Sequence, residues 1–230
     1  MINLSTPQSY GILHNRKTGG TALKQIIHLH QKINPSATHI MCFGHEMNFP
    51  TFIKTYPHAQ AIFFIREPIS RFISGFYSRL RQGRPHYDYP WKKAEKKAFT
   101  RFDTPNKLAE ALSANNLITR YYAKQAMKSI GHIKHTYLDF FGPVSFLEKN
   151  SDKIAFIGHQ PELNKDYIHL QNLLNLSKDL QLPEDEVSMH RNPAILDKNL
   201  SPTAIANLQK WYQHDFAIYA WCIEEREKMV

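Results

Sequence analysis

Between His14 and Leu23 the chain reads His-Asn-Arg-Lys-Thr-Gly-Gly-Thr-Ala-Leu, which brings a lysine, two adjacent glycines and two threonine hydroxyls into one short stretch. These are the parts of an anion cradle. Gly19 and Gly20 free the backbone to turn its N–H groups toward a phosphate, Thr18 and Thr21 add hydroxyls, and Lys17 adds a point charge. Their order is not that of the nucleotide-triphosphate loop, Gly-x-x-x-x-Gly-Lys-Ser/Thr, in which the lysine follows the glycines. A glycine pair alone is also an ordinary turn between strand and helix.

A second stretch shifts that balance. The apolar run Ala61-Ile-Phe-Phe-Ile65 ends on Arg66. In a nucleotide triphosphatase a strand of this kind ends in an aspartate that helps to hold magnesium, whereas a cation in that place suits direct contact with phosphate. A third stretch, Cys42-Phe-Gly-His-Glu-Met47, offers two neighbouring candidates for a general base. His45 carries an imidazole that titrates near neutrality when unperturbed, and Glu46 a carboxylate. The competing reading of His45 is a turn histidine with a packing role only.

Positioning these groups calls for a strand, a loop and a helix in succession, and the apolar pattern supplies them. Tyr10 to His14 reads as a first strand, after which Ala22, Leu23, Ile26, Ile27 and His30 share one helical face. Ala61 to Ile65 is too continuously apolar to be half solvated and is expected inside a sheet. Pro68 suits a first helical turn. Ile69, Phe72, Ile73, Phe76, Tyr77 and Leu80 then mark an apolar face, leaving Arg71, Ser74 and Ser78 together on another. Lys153 to Gly158 reads as a third strand, followed by a helix to about Leu176. Two closing helices, about Pro202 to Tyr212 and Asp215 to Met229, offer Leu208, Trp211, Phe216 and Tyr219 to a core. The alternation predicts a parallel sheet covered by helices. With 230 residues, no internal repeat and no clear linker, one domain spanning residues 1–230 is expected.

The net charge of +9 points to anionic partners, and its distribution says more than its sum. From Arg79 to Arg101 eight lysines and arginines face only Asp88 and Glu95, so most of the excess lies in one segment. None of the 13 histidines falls in a metal-binding pattern, and no metal is expected. No apolar run approaches the length of a membrane span. Two cysteines, Cys42 and Cys222, cannot build a multi-bridge framework, and the first residues lack a basic start followed by an apolar stretch. A reducing cytoplasm is therefore the expected setting.

Taken together, these residues resemble a known family. Lys17-Thr-Gly-Gly-Thr21 is similar to the 5′-phosphosulfate loop of the sulfotransferases that use 3′-phosphoadenosine 5′-phosphosulfate (PAPS), and the run from Phe64 to Phe76 is similar to their 3′-phosphate segment. In that family an arginine ending a strand and a serine eight residues later grip the 3′-phosphate; Arg66 and Ser74 have that spacing. Weaker similarity extends through Phe156-Ile-Gly-His-Gln160 to Asp215-Phe-Ala-Ile-Tyr219. The pattern resembles most the carbohydrate sulfotransferases, such as the heparan sulfate 2-O and 6-O enzymes, and a bacterial relative fits it. One departure is Arg16, where the family more often has proline before the lysine.

The resemblance implies a three-layer α/β fold related to the nucleotide kinases, with a central parallel sheet. It implies transfer of a sulfuryl group from PAPS to a hydroxyl, with adenosine 3′,5′-bisphosphate leaving and no metal required. Arg16, Lys17, Thr18, Gly19, Gly20, Thr21 and Ala22 would hold the phosphosulfate, Arg66 and Ser74 the 3′-phosphate, and Arg191, in a late basic loop, would close over the nucleotide. Lys17 would stabilise the leaving oxygen. Gly44-His45 resembles the catalytic-histidine segment of the 2-O enzymes, while other branches use a glutamate, which keeps Glu46 as the alternative base. Tyr87, Tyr89 and Trp91, alternating with Lys92, Lys93, Lys96 and Lys97, would suit an acidic saccharide acceptor, or else form a solvated basic helix. Two other classes compete: a P-loop kinase with a relocated lysine, and a polyanion-binding protein that uses the basic segment without chemistry.

Overall fold

The computed structural model describes residues 8–34, 40–85, 87–182 and 196–229. Along the chain run β1 (Ser9–Leu13), α1 (Gly20–Ile33), β2 (Ile40–Cys42), α2 (Phe49–Thr55), β3 (Ala59–Ile65) and α3 (Pro68–Leu80). Five short or medium helices follow: α4 (Lys93–Phe99), α5 (Pro105–Glu110), α6 (Leu117–Ser129), α7 (Tyr137–Phe141) and α8 (Val144–Lys149). The chain then returns to the sheet as β4 (Ile154–His159) and closes with α9 (Leu163–Leu173), α10 (Pro202–Trp211) and α11 (Gln213–Glu227). The four strands are all parallel in the order β2-β1-β3-β4. The expected α/β fold with a central parallel sheet is therefore present.

Strand alternation sorts the core into two layers. Ile12, Ile62, Phe64 and Phe156 face α1 and α9, meeting Leu23, Ile26, Ile27, Leu163, Tyr167 and Leu170. Their neighbours Leu13, Phe63, Ile65 and Ile157 face the other way, onto Phe49 and Phe52 of α2, Phe141 of α7, Leu147 of α8 and Ile218 of α11. β3 is buried on both faces because it lies between β1 and β4, the interior place its unbroken apolar run predicts. A third cluster lies beside the sheet, where Phe72 and Phe76 of α3 pack with α4, α5, α6 and α10.

The sequence reading omitted β2, a three-residue strand pairing Tyr10 with Ile40 and Ile12 with Cys42. Three residues are too few for a period to show. The helix expected to run to about Leu176 ends at Leu173, and Asn175 takes a left-handed conformation (φ 50°) that stops it. No helix among the described residues is long and apolar enough to cross a membrane.

Because every strand points the same way, the segments after β1, β2, β3 and β4 emerge at one edge of the sheet. That edge collects ligands in open α/β folds.

Candidate active site

The segment after β1 turns sharply on its own polar groups. Thr18 Oγ1 donates to the Asn15 carbonyl at 3.0 Å, and Asn15 Oδ1 accepts the Arg16 N–H at 2.7 Å. Lys17 and Gly19 both adopt left-handed backbone, with φ of 64° and 93°. Glycine takes that conformation freely, while a lysine there costs roughly 1 kcal/mol, a local strain spent on aiming one side chain. α1 begins immediately afterwards, with Gly19 as its cap, no side-chain capping bond and no acid in its first turn. Its first N–H groups are open, and the helix dipole places positive potential there. Lys17 lines the same cavity as Gly19 and Thr21 at this helix end. Burial, with the nearby charges of Arg66 and Arg81, lowers its pKa from the usual lysine value to about 8.

The segment after β3 is built differently. Glu67 caps α3 with its own carboxylate, Oε1 accepting from Ile69 N at 2.9 Å and Oε2 from Ser70 N at 2.6 Å, and Pro68 fills the first helical position. Arg66 is fixed from both sides. The Tyr137 hydroxyl accepts its N–H at 2.8 Å and donates to its carbonyl, while Arg66 Nε donates to Ser70 Oγ at 2.8 Å. Tyr137 is itself held, since its N–H donates to Asp215 Oδ2 at 2.9 Å. Asp215 also takes Arg71 Nη2 at 2.7 Å, in an ion pair buried on both sides. Arg71 thus parts from Ser74 and Ser78: they face the site, while Arg71 braces α7 and α11 against α3.

His45 follows β2. Its Nδ1 lies 2.8 Å from the His14 carbonyl, and its ring packs on that of His14 with centroids 4.1 Å apart. A carbonyl only accepts, so Nδ1 carries the proton and, in the neutral ring, Nε2 keeps a free lone pair. Burial lowers the His45 pKa, the His14 carbonyl opposes that, and Arg16 and Lys24 reinforce it. The ring is therefore neutral at pH 7 and able to take a proton. Glu46 is exposed and folds against Gly44 of its own turn.

These segments enclose a cavity of about 1120 Å³. Arg16, Lys17, Gly19 and Thr21 line it from α1, His45 from β2, and Arg66, Ser74 and Ser78 from β3 and α3. Arg84, Tyr87, Tyr89 and Lys92 line it farther out. Among the described residues, nine lysines and arginines border it against Glu67 and Glu95. Both carboxylates are engaged, Glu67 as a helix cap and Glu95 in a two-point bond to Arg79 at 2.7 Å for each contact. The uncompensated charge is positive, as a polyanionic ligand requires.

A family model described as the sulfotransferase family matches residues 8–221. The chain belongs to that family. None of the curated proteins matches the chain. The match runs from the start of β1 into α11 and includes every described segment that borders the cavity.

Within this sulfotransferase, most of the residues singled out in the sequence come to one place. Thr18, Gly20 and Ala22 do not line the cavity with their side chains: Thr18 closes the loop, Gly20 lies under the His14 ring and Ala22 packs in the core. Glu46 is also absent from the lining, and Arg191 lies outside the described residues. Of the four lysines from Lys92 to Lys97, only Lys92 borders the cavity, while the other three are exposed. At the end of β4, Gln160 faces the cavity and His159 does not. Both His159 ring nitrogens are engaged, Nδ1 with Glu162 at 3.2 Å and Nε2 with the Tyr219 hydroxyl at 3.0 Å. The sequence reading missed Arg81, His132 and His135, which the fold brings in from the end of α3 and the segment between α6 and α7. Among the described residues no group of three or more His, Cys, Asp or Glu is placed to hold a metal.

Proposed function

We propose that this sulfotransferase moves a sulfuryl group from PAPS to a hydroxyl of an acidic carbohydrate, acting as one domain in the cytoplasm. One observation carries the reading: the uncapped N-terminus of α1 opens, behind Lys17, onto the same cavity that Arg66, Ser74 and His45 line. A helix end without its own anion is a phosphate site. The donor fits this donor set, because it needs cations and N–H groups at two separate phosphates. The α1 end with Arg16, Lys17 and Thr21 would hold the 5′-phosphosulfate, the N–H groups of Gly20 and Ala22 contributing from the backbone. Arg66 and Ser74 would hold the 3′-phosphate. The volume exceeds the usual range for a single small ligand and leaves room for a sugar beside the nucleotide.

PAPS supplies an activated sulfuryl group and departs as adenosine 3′,5′-bisphosphate. His45 Nε2 takes the proton of the acceptor hydroxyl as its oxygen turns nucleophilic. Lys17 and the α1 N–H groups meet the charge that grows on the leaving oxygen. Tyr137 keeps Arg66 in place through its two backbone contacts. The acidic-saccharide assignment rests on the outer cavity, where the Tyr87 and Tyr89 rings, with centroids 5.4 Å apart, stand beside Arg84 and Lys92. Such rings present apolar faces to sugars, and the cations suit carboxylates or sulfates. The cytoplasmic setting rests on two unpaired cysteines, Cys42 and Cys222.

Calorimetry in a chelator with adenosine 3′,5′-bisphosphate, followed by a mass-spectrometric acceptor screen with PAPS, tests the reading. Micromolar binding without magnesium is expected on the usual scale of enzyme affinities. His45→Ala should then lower turnover by roughly two to four orders of magnitude at unchanged nucleotide affinity, with Glu46→Gln doing less. Binding of ATP only with magnesium, and none of the bisphosphate, would replace this reading with a kinase.

A further inference from the structure

The segment joining α6 to α7 presents His132 to the cavity from a firmly held backbone. Gly131 N donates to Glu95 Oε1 at 2.9 Å, and the Ile133 carbonyl accepts the buried Tyr212 hydroxyl at 2.9 Å. Arg71 Nη1 donates to the His135 carbonyl at 2.9 Å. On α3, the residue after Ser74 is Gly75, where an added Cβ would stand 3.0 Å from His132 Cβ. The absent side chain lets the segment lie directly against the helix that carries Ser74.

So supported, His132 has a buried Nδ1 with no hydrogen-bond partner among the described residues. Leaving such an atom unpaired is unfavourable, and at a ligand site the ligand is what relieves it. The charged and titratable groups acting on the ring identify which end of the cavity it serves: Lys17, Arg16, His45 and Arg79, in that order after burial itself, all holding it neutral. Lys17 and His45 belong to the transfer centre. A neutral imidazole surrounded by cations has no use as another anion's counter-charge, but its N–H is a fixed donor toward an oxygen that gathers negative charge. His45 already accounts for the acceptor proton, and Lys17 for the leaving oxygen. The oxygens without an assigned donor are the non-bridging ones on sulfur.

We propose that His132 is a further contact to the transferred sulfuryl group, its Nδ1–H donating to a non-bridging sulfuryl oxygen. This rests on the donor reading given above. The contact is made with PAPS and is absent with adenosine 3′,5′-bisphosphate, which has no sulfuryl group. The two nucleotides therefore separate it from a structural role.

Binding of both nucleotides is measured by calorimetry, without acceptor, for the full chain and for His132→Ala, His132→Asn and His132→Gln. In His132→Ala the affinity for PAPS should fall about tenfold more than that for the bisphosphate, the scale of one hydrogen bond to a charged group. The side-chain amide of asparagine reaches the position of Nδ1 and that of glutamine the position of Nε2, so His132→Asn should recover most of the loss and His132→Gln little. Equal losses for both nucleotides would reduce His132 to a packing role and overturn the proposal while leaving the donor assignment intact. Recovery by glutamine alone would overturn the Nδ1 contact. If the unsubstituted protein binds neither nucleotide, the donor reading itself fails and this contact falls with it. Unfolding temperatures of the three variants identify any that loses binding by failing to fold.

Discussion

Two helices start at the same edge of the sheet, each directly after a parallel strand, and their N-termini are finished in opposite ways. α3 is closed by the Glu67 carboxylate, which takes two of its free N–H groups. α1 has a glycine cap, no acid in its first turn and a strained lysine in front. A glycine cap gives up roughly a few tenths of a kcal/mol relative to Ser, Asn or Asp. α1 forgoes that stability where an anion is to bind, and α3 keeps it. In the proposed function the phosphosulfate therefore goes to α1. From the β3 and α3 region the cavity takes side chains, Arg66, Ser74 and Ser78 among them, while Glu67 occupies the positive end of α3.

The comparison breaks first at Lys17. Lys17→Ala should lower turnover by roughly a hundredfold to a thousandfold, the cost of removing one preorganised donor, while bisphosphate affinity changes less. Steady-state kinetics with PAPS checks this, and an unchanged turnover number would remove Lys17 from the transfer step. Next, α1 can be given what α3 has. Thr21→Asp puts a carboxylate in the first turn of α1, which should weaken bisphosphate binding by roughly a hundredfold through like-charge contact and yet stabilise the fold slightly. Opposite signs in calorimetry and thermal unfolding are the expected result.

A milder form of the Lys17 change comes from pH. With a pKa lowered to about 8 in the free protein, Lys17 loses its charge as pH rises through 8, so kcat/KM for PAPS should fall about tenfold by one pH unit above that value. The His45 pKa is lowered below the ordinary histidine value, so its base form persists down through pH 6.5 and the acid limb lies below that. Lys17→Arg, whose guanidinium stays charged, should remove the alkaline limb from a pH–rate profile. Arg66→Ala should then weaken the 3′,5′-bisphosphate about tenfold more than the 5′-monophosphate, since the proposed contact is to the 3′-phosphate. Equal losses would take Arg66 out of that role. The smallest effect is at Glu67. Glu67→Ala opens the end of α3 and should cost about 1 kcal/mol of stability in denaturant titration, with little change in phosphosulfate binding.

The two cavity histidines show how differently legible the site was. His45 stands beside a glycine in a short run that resembles a family motif, and its role is suggested locally. The neutral tautomer that the proposed base role requires was not, because it depends on the His14 carbonyl in another segment. His132 is separated from Ser74 by the rest of α3 and by α4, α5 and α6, and its meeting with α3 requires the missing side chain of Gly75. Likewise the basic stretch from Lys92 to Lys97 reads as a unit, but α4 turns Glu95, Ala98 and Phe99 inward and sends only Lys92 to the cavity.

The sequence by itself determined the parallel sheet, the interior place of β3, the loop before α1 and the eight-residue spacing from Arg66 to Ser74. Each is a local matter, set by apolar period, by glycine geometry or by a spacing within one strand and helix. Only the tertiary structure decided that Arg71 braces Asp215 while its helix neighbour Ser74 lines the site. It alone decided that Tyr137 holds Arg66. It likewise brought Arg81, His132 and Gln160 to the same cavity as Lys17. Burial and hydrogen-bond partnership depend on which distant segments pack together, and no period or spacing along the chain encodes that.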